Sequence, residues 1–165
     1  MLRSPALLVL ALGGALTTTA AVASDFEIHV SVKSEGRETR TERTDESPST
    51  ARSKPRPVME VGRNATLVLS WRAENFDKAE AFEDVLVHFF VVEEKKTGQV
   101  AIPKLSAGVI YEGALTMDFR PREKADWRMT LKIPEAGSYL VRAETIGMPP
   151  KHGHEHFAAM DLVVR

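Results

Sequence analysis

Two strand-like runs and the turn between them lie in the segment Trp127-Arg-Met-Thr-Leu-Lys-Ile-Pro-Glu-Ala-Gly137-Ser-Tyr139-Leu-Val-Arg-Ala143. The residues from Trp127 onward alternate apolar with polar side chains, and a second apolar run follows Gly137. Alternation with a period of two is typical of a β-strand that buries one face, and Pro and Gly favour the turns between strands. The segment therefore predicts two consecutive strands of an antiparallel sheet.

Similar runs recur along the chain, with no long helical period between them. They span residues 26–33, 65–71, 84–92 and 157–164. The run from Asp84 to Val92 is apolar on both faces, which is typical of a central strand that is covered on both sides. Short strands at close spacing predict an all-β protein, and we expect a single immunoglobulin-like antiparallel sandwich of about seven to nine strands.

The first residues are typical of a secretory signal. Arg3 precedes a short apolar core from Ala6 to Leu16, and Ala21-Val-Ala23 supplies the small residues that a signal peptidase requires. We expect residues 1–23 to be removed and residues 24–165 to form one secreted or periplasmic domain, with no integral membrane span after cleavage.

Residues 34–57 interrupt the strand pattern. Their side chains are mostly charged, Ser, Thr or Pro, and Ala51 is the single apolar residue. Such a segment buries too little apolar surface to offset its chain entropy, so it is predicted to be a disordered charged loop. An alternative is that Arg37 to Thr44 extends the first strand as a solvated ribbon.

The composition limits the possible partners. The chain carries 22 basic and 23 acidic residues, a net charge of −1, which gives no reason to expect nucleic acid or an anionic membrane surface as a partner. It contains no cysteine, so its core must be stabilised by packing without disulfides.

The late strands resemble those of immunoglobulin-like and fibronectin type III-like domains. In those domains a Gly-x-Tyr after a turn opens a strand, and the tyrosine hydroxyl can bond a nearby backbone group. Gly137 and Tyr139 occupy these places here, and Trp71 is a candidate core aromatic on an earlier strand. The resemblance implies a sandwich architecture and says little of function, because this fold hosts unrelated activities.

Three of the five histidines lie in His152-Gly-His154-Glu-His156. Side chains two residues apart point the same way in an extended backbone, and imidazole is a common ligand of zinc and copper. Three imidazoles in strict extension span too far for one ion. A working site would need a bend at Gly153, or a fourth group such as His88, Glu155 or Met148. The cluster therefore predicts a copper or zinc site, and its alternative is a polar loop whose histidines are solvated.

The chain is similar in one respect to small exported β-sandwiches that handle copper. Their His and Met ligands lie on loops at one end of the sandwich, a position that Met148 and the residues from His152 to His156 match. His88 also has another interpretation, because it lies within an apolar strand and a lone histidine there is more often buried and hydrogen-bonded.

No catalytic arrangement is apparent in the sequence. There is no cysteine nucleophile, no Gly-x-Ser-x-Gly elbow and no His-Glu-x-x-His, so we expect a non-enzyme. Two functions follow as hypotheses. The first is an exported binding or accessory module that holds copper or zinc through the His152 to His156 loop. The alternative is a structural or interaction module that binds a protein or glycan with a sheet face or edge and needs no metal.

Overall fold

The protein is an all-β sandwich, as the sequence predicts. The computed structural model describes residues 26–41, 56–97, 108–146 and 156–165, and these residues form nine strands in two sheets. The strands are β1 (Phe26–Ser34), β2 (Arg37–Arg40), β3 (Val58–Val61), β4 (Leu67–Asn75), β5 (Phe82–Glu94), β6 (Val109–Phe119), β7 (Lys124–Leu131), β8 (Gly137–Ile146) and β9 (Phe157–Val164). The described part of the chain holds no helix long and apolar enough to cross a membrane. The predicted signal peptide lies outside the described residues.

The two sheets differ in size and in strand direction. The four-stranded sheet has the order β2-β1-β4-β7, and its neighbouring strands are all antiparallel. The five-stranded sheet has the order β3-β9-β8-β5-β6, in which β3 runs parallel to β9 and the other pairs are antiparallel. The sheets end in β7 and β6 on the same side of the sandwich, since the rings of Tyr111 and Trp127 approach to 6.0 Å.

The core lies between the sheets and follows the predicted alternation. In β1 the apolar side chains at positions 26, 28, 30 and 32 are all buried. Trp71 of β4 is 4% exposed, and in β5 the residues Val85, Val87, Phe89 and Val91 line the inner face. A single ring such as that of Trp71 contributes several kcal/mol of burial, about 3 to 5 kcal/mol by truncation to alanine.

The predicted tyrosine contact is present. The Tyr139 hydroxyl donates a 2.9 Å hydrogen bond to the Glu135 carbonyl, and its ring is buried. Burial, together with the nearby charges of Glu93 and Glu135, raises the pKa of the phenol. This contact fixes the turn between β7 and β8 against the core.

The predicted disordered loop is wrong at its beginning. Glu35 and Gly36 both have positive φ angles, of 49° and 77°, and form a two-residue turn that pairs Ser34 with Arg37. A turn with two positive φ values matches the twist of a hairpin. The alternative of a ribbon extending β1 is therefore observed for residues 37–40, and residues 42–55 lie outside the described residues.

Candidate functional site

His88 lies on the outer face of the five-stranded sheet, where it is hydrogen-bonded between two carboxylates. Its side chain is 13% exposed, with Nε2 2.9 Å from Glu112 Oε1 and Nδ1 3.2 Å from Glu144 Oε1. The neighbouring strands β6 and β8 supply one glutamate each. Arg142 then bonds the second oxygen of Glu144 through Nε at 2.6 Å. Both ring nitrogens already have partners, so a metal ion would have to displace one of these carboxylates.

His156 lies on the inner face of the same sheet. It is 2% exposed, and its ring centroid is 5.6 Å from that of Phe26 in the core. Its backbone N–H donates to Thr145 Oγ1 at 2.9 Å, and its carbonyl accepts from the Thr145 N–H at 2.8 Å. His156 is thus part of the packed interior at the start of β9.

These positions separate two of the predicted ligands. His88 and His156 project from opposite faces of one sheet, so one ion cannot contact both. Within residues 26–41, 56–97, 108–146 and 156–165, no three His, Asp or Glu side chains are arranged to hold a metal ion. Met148, His152 and His154 lie outside these residues, and their copper or zinc site stays a prediction.

A second charged group is buried at the other end of the five-stranded sheet. One guanidinium nitrogen of Arg56 lies 2.8 Å from Glu94 Oε1 and 2.7 Å from Asp161 Oδ1, and both carboxylates are almost fully buried. Burial raises the pKa of Glu94 against the lowering effect of Arg56, and the neighbouring Asp161 raises it further. The group anchors Arg56, two residues before β3, to β5 and β9. It could not be predicted from the sequence, since its members come from three distant segments.

The outer face of the four-stranded sheet forms an open polar groove of about 780 Å³. Two of its arginines are paired with carboxylates. Arg72 Nε donates to Asp126 Oδ1 at 2.6 Å, Arg40 Nε donates to Glu38 Oε1 at 2.9 Å, and the Arg40 guanidinium holds the pKa of Glu38 below its usual value. Exposed pairs of this kind contribute little to stability, and here they occupy the groups that would bind a ligand.

The open side of the sandwich is the apolar cleft between β6 and β7. We define it by the inward side chains that these two strands leave half-buried or exposed, which are Tyr111, Gly113, Leu115 and Met117 of β6 and Ala125, Trp127, Met129 and Leu131 of β7. In the part of the chain that the structure describes, no strand pairs with the outer edge of β6 or of β7. The open side therefore combines apolar side chains with two free strand edges.

Aromatic rings form the floor of the open side. Phe89 lies 4.4 Å from Trp127 and 5.5 Å from Tyr111 between ring centroids, and Trp71 stacks on Trp127 at 6.4 Å. The cavity beneath these rings measures about 20 Å³, which is the room of a single water molecule. A larger ligand would therefore bind on the surface of this cleft and not within the sandwich.

The edge strand β6 exposes large apolar side chains. Ile110 is 41% exposed and Leu115 is 38% exposed, and the central residues 113–117 carry no charge. This surface was not predicted from the sequence. The feature that could have identified it is the uncharged run from Gly113 to Met117. Edge strands often carry charged side chains that prevent association with another strand, so an uncharged run is unusual there.

Comparisons with known proteins give no family for the chain. No protein-family model matches it, and no curated protein sequence matches it. Among solved structures it is similar to the crystal structure of the C-terminal domain of Wzt, with 10% sequence identity and a TM-score of 0.45 over 87% of this chain and 75% of that chain. A likeness at this level supports no inference about function.

Proposed function

We propose that this chain is an exported, non-enzymatic interaction module that docks a partner protein through its open side. The observation that carries the proposal is the uncharged run of residues 113–117 in β6, with Leu115 38% exposed, at the edge of the five-stranded sheet. Scattered apolar side chains are normal on a protein surface, whereas a contiguous apolar surface usually marks a contact with another molecule.

The backbone of β6 supports a protein partner. A free strand edge presents unpaired N–H and C=O groups, which an extended segment can pair with as an added strand. Apolar side chains at alternate positions of that segment would then enter the cleft between Leu115 and Trp127. The backbone of β6 and the side chains of the cleft would together set the affinity and the register of such a complex.

A glycan fits this surface less well. Sugar hydroxyls require hydrogen-bonding side chains, and the inward side chains of the open side offer two such groups, the Tyr111 hydroxyl and the Trp127 indole N–H. The polar groove on the other sheet has such groups, but Arg40 there bonds Glu38 and Arg72 bonds Asp126. The protein alternative is therefore favoured over the glycan alternative.

Export and the absence of catalysis rest on the sequence. The leader-like residues 1–23 support a secreted or periplasmic location, and the missing nucleophile motifs support a non-enzyme. Metal binding through Met148, His152 and His154 is not needed for docking at the open side.

Photo-cross-linking in the producing cells tests the proposal. A photoreactive amino acid in place of Leu115 should trap a protein, whereas the same residue in place of the exposed Lys33, on the outer face of the four-stranded sheet, should not. Equal cross-linking from the two positions, or none from Leu115, would refute docking at the open side. Capture of glycan in place of protein would favour the alternative partner.

A further inference from the structure

We infer that the partner at the open side is a second copy of this chain, paired antiparallel through β6 about a two-fold axis at Ala114. The inference rests on the proposed docking function and names its partner. It follows from the length of β6, the faces of its side chains and the positions of its charges.

Symmetry restricts the possible registers. In a continuous antiparallel sheet, residues opposite each other point to the same face, and successive residues point to opposite faces. Two copies of one strand can therefore pair only about a residue that lies opposite its own equivalent. The strand Val109–Phe119 has 11 residues, and its middle residue is Ala114.

The register centred on Ala114 pairs residues 111–117 of the two copies, the part of β6 that follows the irregularity beside Tyr111, and matches their side chains. On the inner face Gly113 lies opposite Leu115, and Tyr111 lies opposite Met117. On the outer face Glu112 lies opposite Thr116. No two like charges are opposed, and the apolar residues of the inner face meet apolar partners.

The neighbouring registers are less favourable. A centre at Glu112 would place two glutamates against each other, and a centre at Leu115 would place Glu112 opposite Asp118. Like charges directly opposite destabilise a strand pair. A centre at Gly113 avoids this conflict but leaves residues 118 and 119 of each copy unpaired and puts two glycines at the middle.

The second copy would also cover the cleft. Pairing through β6 brings the open sides of the two copies together. Trp127 and Met129 of one copy then lie beside the same residues of the second copy. An isologous contact of this kind closes upon itself as a dimer and leaves no free β6 edge for further growth.

Cysteine cross-linking tests the register, because the chain has no native cysteine. Ala114→Cys should form a disulfide-linked dimer under mild oxidation, since opposed residues bring their Cβ atoms to about 4.5 to 5.5 Å. Thr116→Cys alone should not, because its equivalent lies four residues away along the strand, about 13 Å. A mixture of Glu112→Cys and Thr116→Cys chains should cross-link. Cross-linking of Glu112→Cys with Ala114→Cys, without dimers of Ala114→Cys alone, would overturn the register.

Sedimentation measures the association itself. The unmodified protein should form a dimer, and Leu115→Glu should weaken its association about tenfold or more by burying a carboxylate in an apolar contact. Ile146→Glu is the matched control, since Ile146 is 43% exposed on β8 and lies away from the open side. A monomer at all concentrations, or equal effects of both variants, would refute the second copy. If Leu115 still traps another protein in cells in that case, docking at the open side stands and only this inference falls.

Discussion

The phenyl ring of Phe89 lies directly over Gly113 on the neighbouring strand. A Cβ atom on Gly113 would lie 2.5 Å from Phe89 Cζ, a distance that no side chain tolerates without movement of the ring. The glycine thus lets Phe89 reach Trp127 and complete the aromatic floor of the open side.

Gly113→Ala should destabilise the protein by about 1 to 3 kcal/mol, because the added methyl group overpacks a filled site. Denaturant unfolding measures the change. Gly62→Ala serves as the control, since a Cβ there meets no atom within 4 Å. Equal stability of the two variants would mean that the Phe89 ring has room to move.

Trp71→Ala should cost about 3 to 5 kcal/mol in the free energy of unfolding, since it empties a large buried site. Ile146→Ala should change it by less than about 0.5 kcal/mol, because that side chain is 43% exposed. Near wild-type unfolding of Trp71→Ala would contradict the placement of β4 in the core.

Tyr139→Phe removes the hydroxyl and keeps the ring. We expect a loss of about 0.5 to 1.5 kcal/mol, because the hydrogen bond to the Glu135 carbonyl is lost. Thermal unfolding of the two proteins at one pH gives the comparison. An unchanged melting temperature would show that water replaces the hydroxyl at this carbonyl without cost.

Glu94 should make the folded protein less stable as the pH rises. Burial raises the pKa of Glu94 on folding above its ordinary value of 4.5, so the folded state keeps the proton to a higher pH than the unfolded state does. The stabilisation from this group is complete below pH 4.5 and is lost as the pH passes through the higher folded pKa. Glu94→Gln should not show this loss. The free energy of unfolding of the variant should therefore rise relative to that of the wild type as the pH increases. A constant difference between pH 4 and 8, measured by denaturant unfolding, would contradict the assignment to Glu94.

The predicted copper or zinc site can be tested by replacing His152 and His154. If residues 152–156 bind copper or zinc, replacing His152 and His154 together with Ala should abolish any metal-dependent rise in melting temperature. His88→Ala should retain that rise, since His88 lies on the outer face between Glu112 and Glu144. Binding should weaken below about pH 6.5, where imidazoles take up protons. Loss of the effect in His88→Ala alone would point to a site on the outer sheet face.

Strand positions could be predicted from sequence where alternation was clean. In β1 each apolar residue proved buried, and β9 was predicted with its observed bounds of Phe157 and Val164. The Tyr139 contact was also predictable, because it depends on the local Gly-x-Tyr spacing after a turn. These features are set by neighbouring residues and need no knowledge of strand order.

Two features that depend on contacts between distant segments, the orientation of His156 and the open side, could not be predicted from the sequence, and one local turn was missed. Residues 156–164 are mostly buried on both faces and do not alternate, so no pattern indicated that His156 points inward. The Glu35-Gly36 turn was missed, because Asn or Asp more often precedes glycine in such turns. The open side was missed for the same reason as strand order: alternation shows which face is buried, but not which strand lies at an edge.

The parallel pairing of β3 with β9 has a kinetic consequence. Val58 lies opposite Asp161, so the chain must close a loop of about 100 residues before the five-stranded sheet is complete. Contacts of such sequence separation slow folding, and β9 fills an interior place between β3 and β8. The sandwich therefore cannot close until its last strand has been synthesised. Until then β3 lacks the strand with which it pairs, and β8 has one open edge.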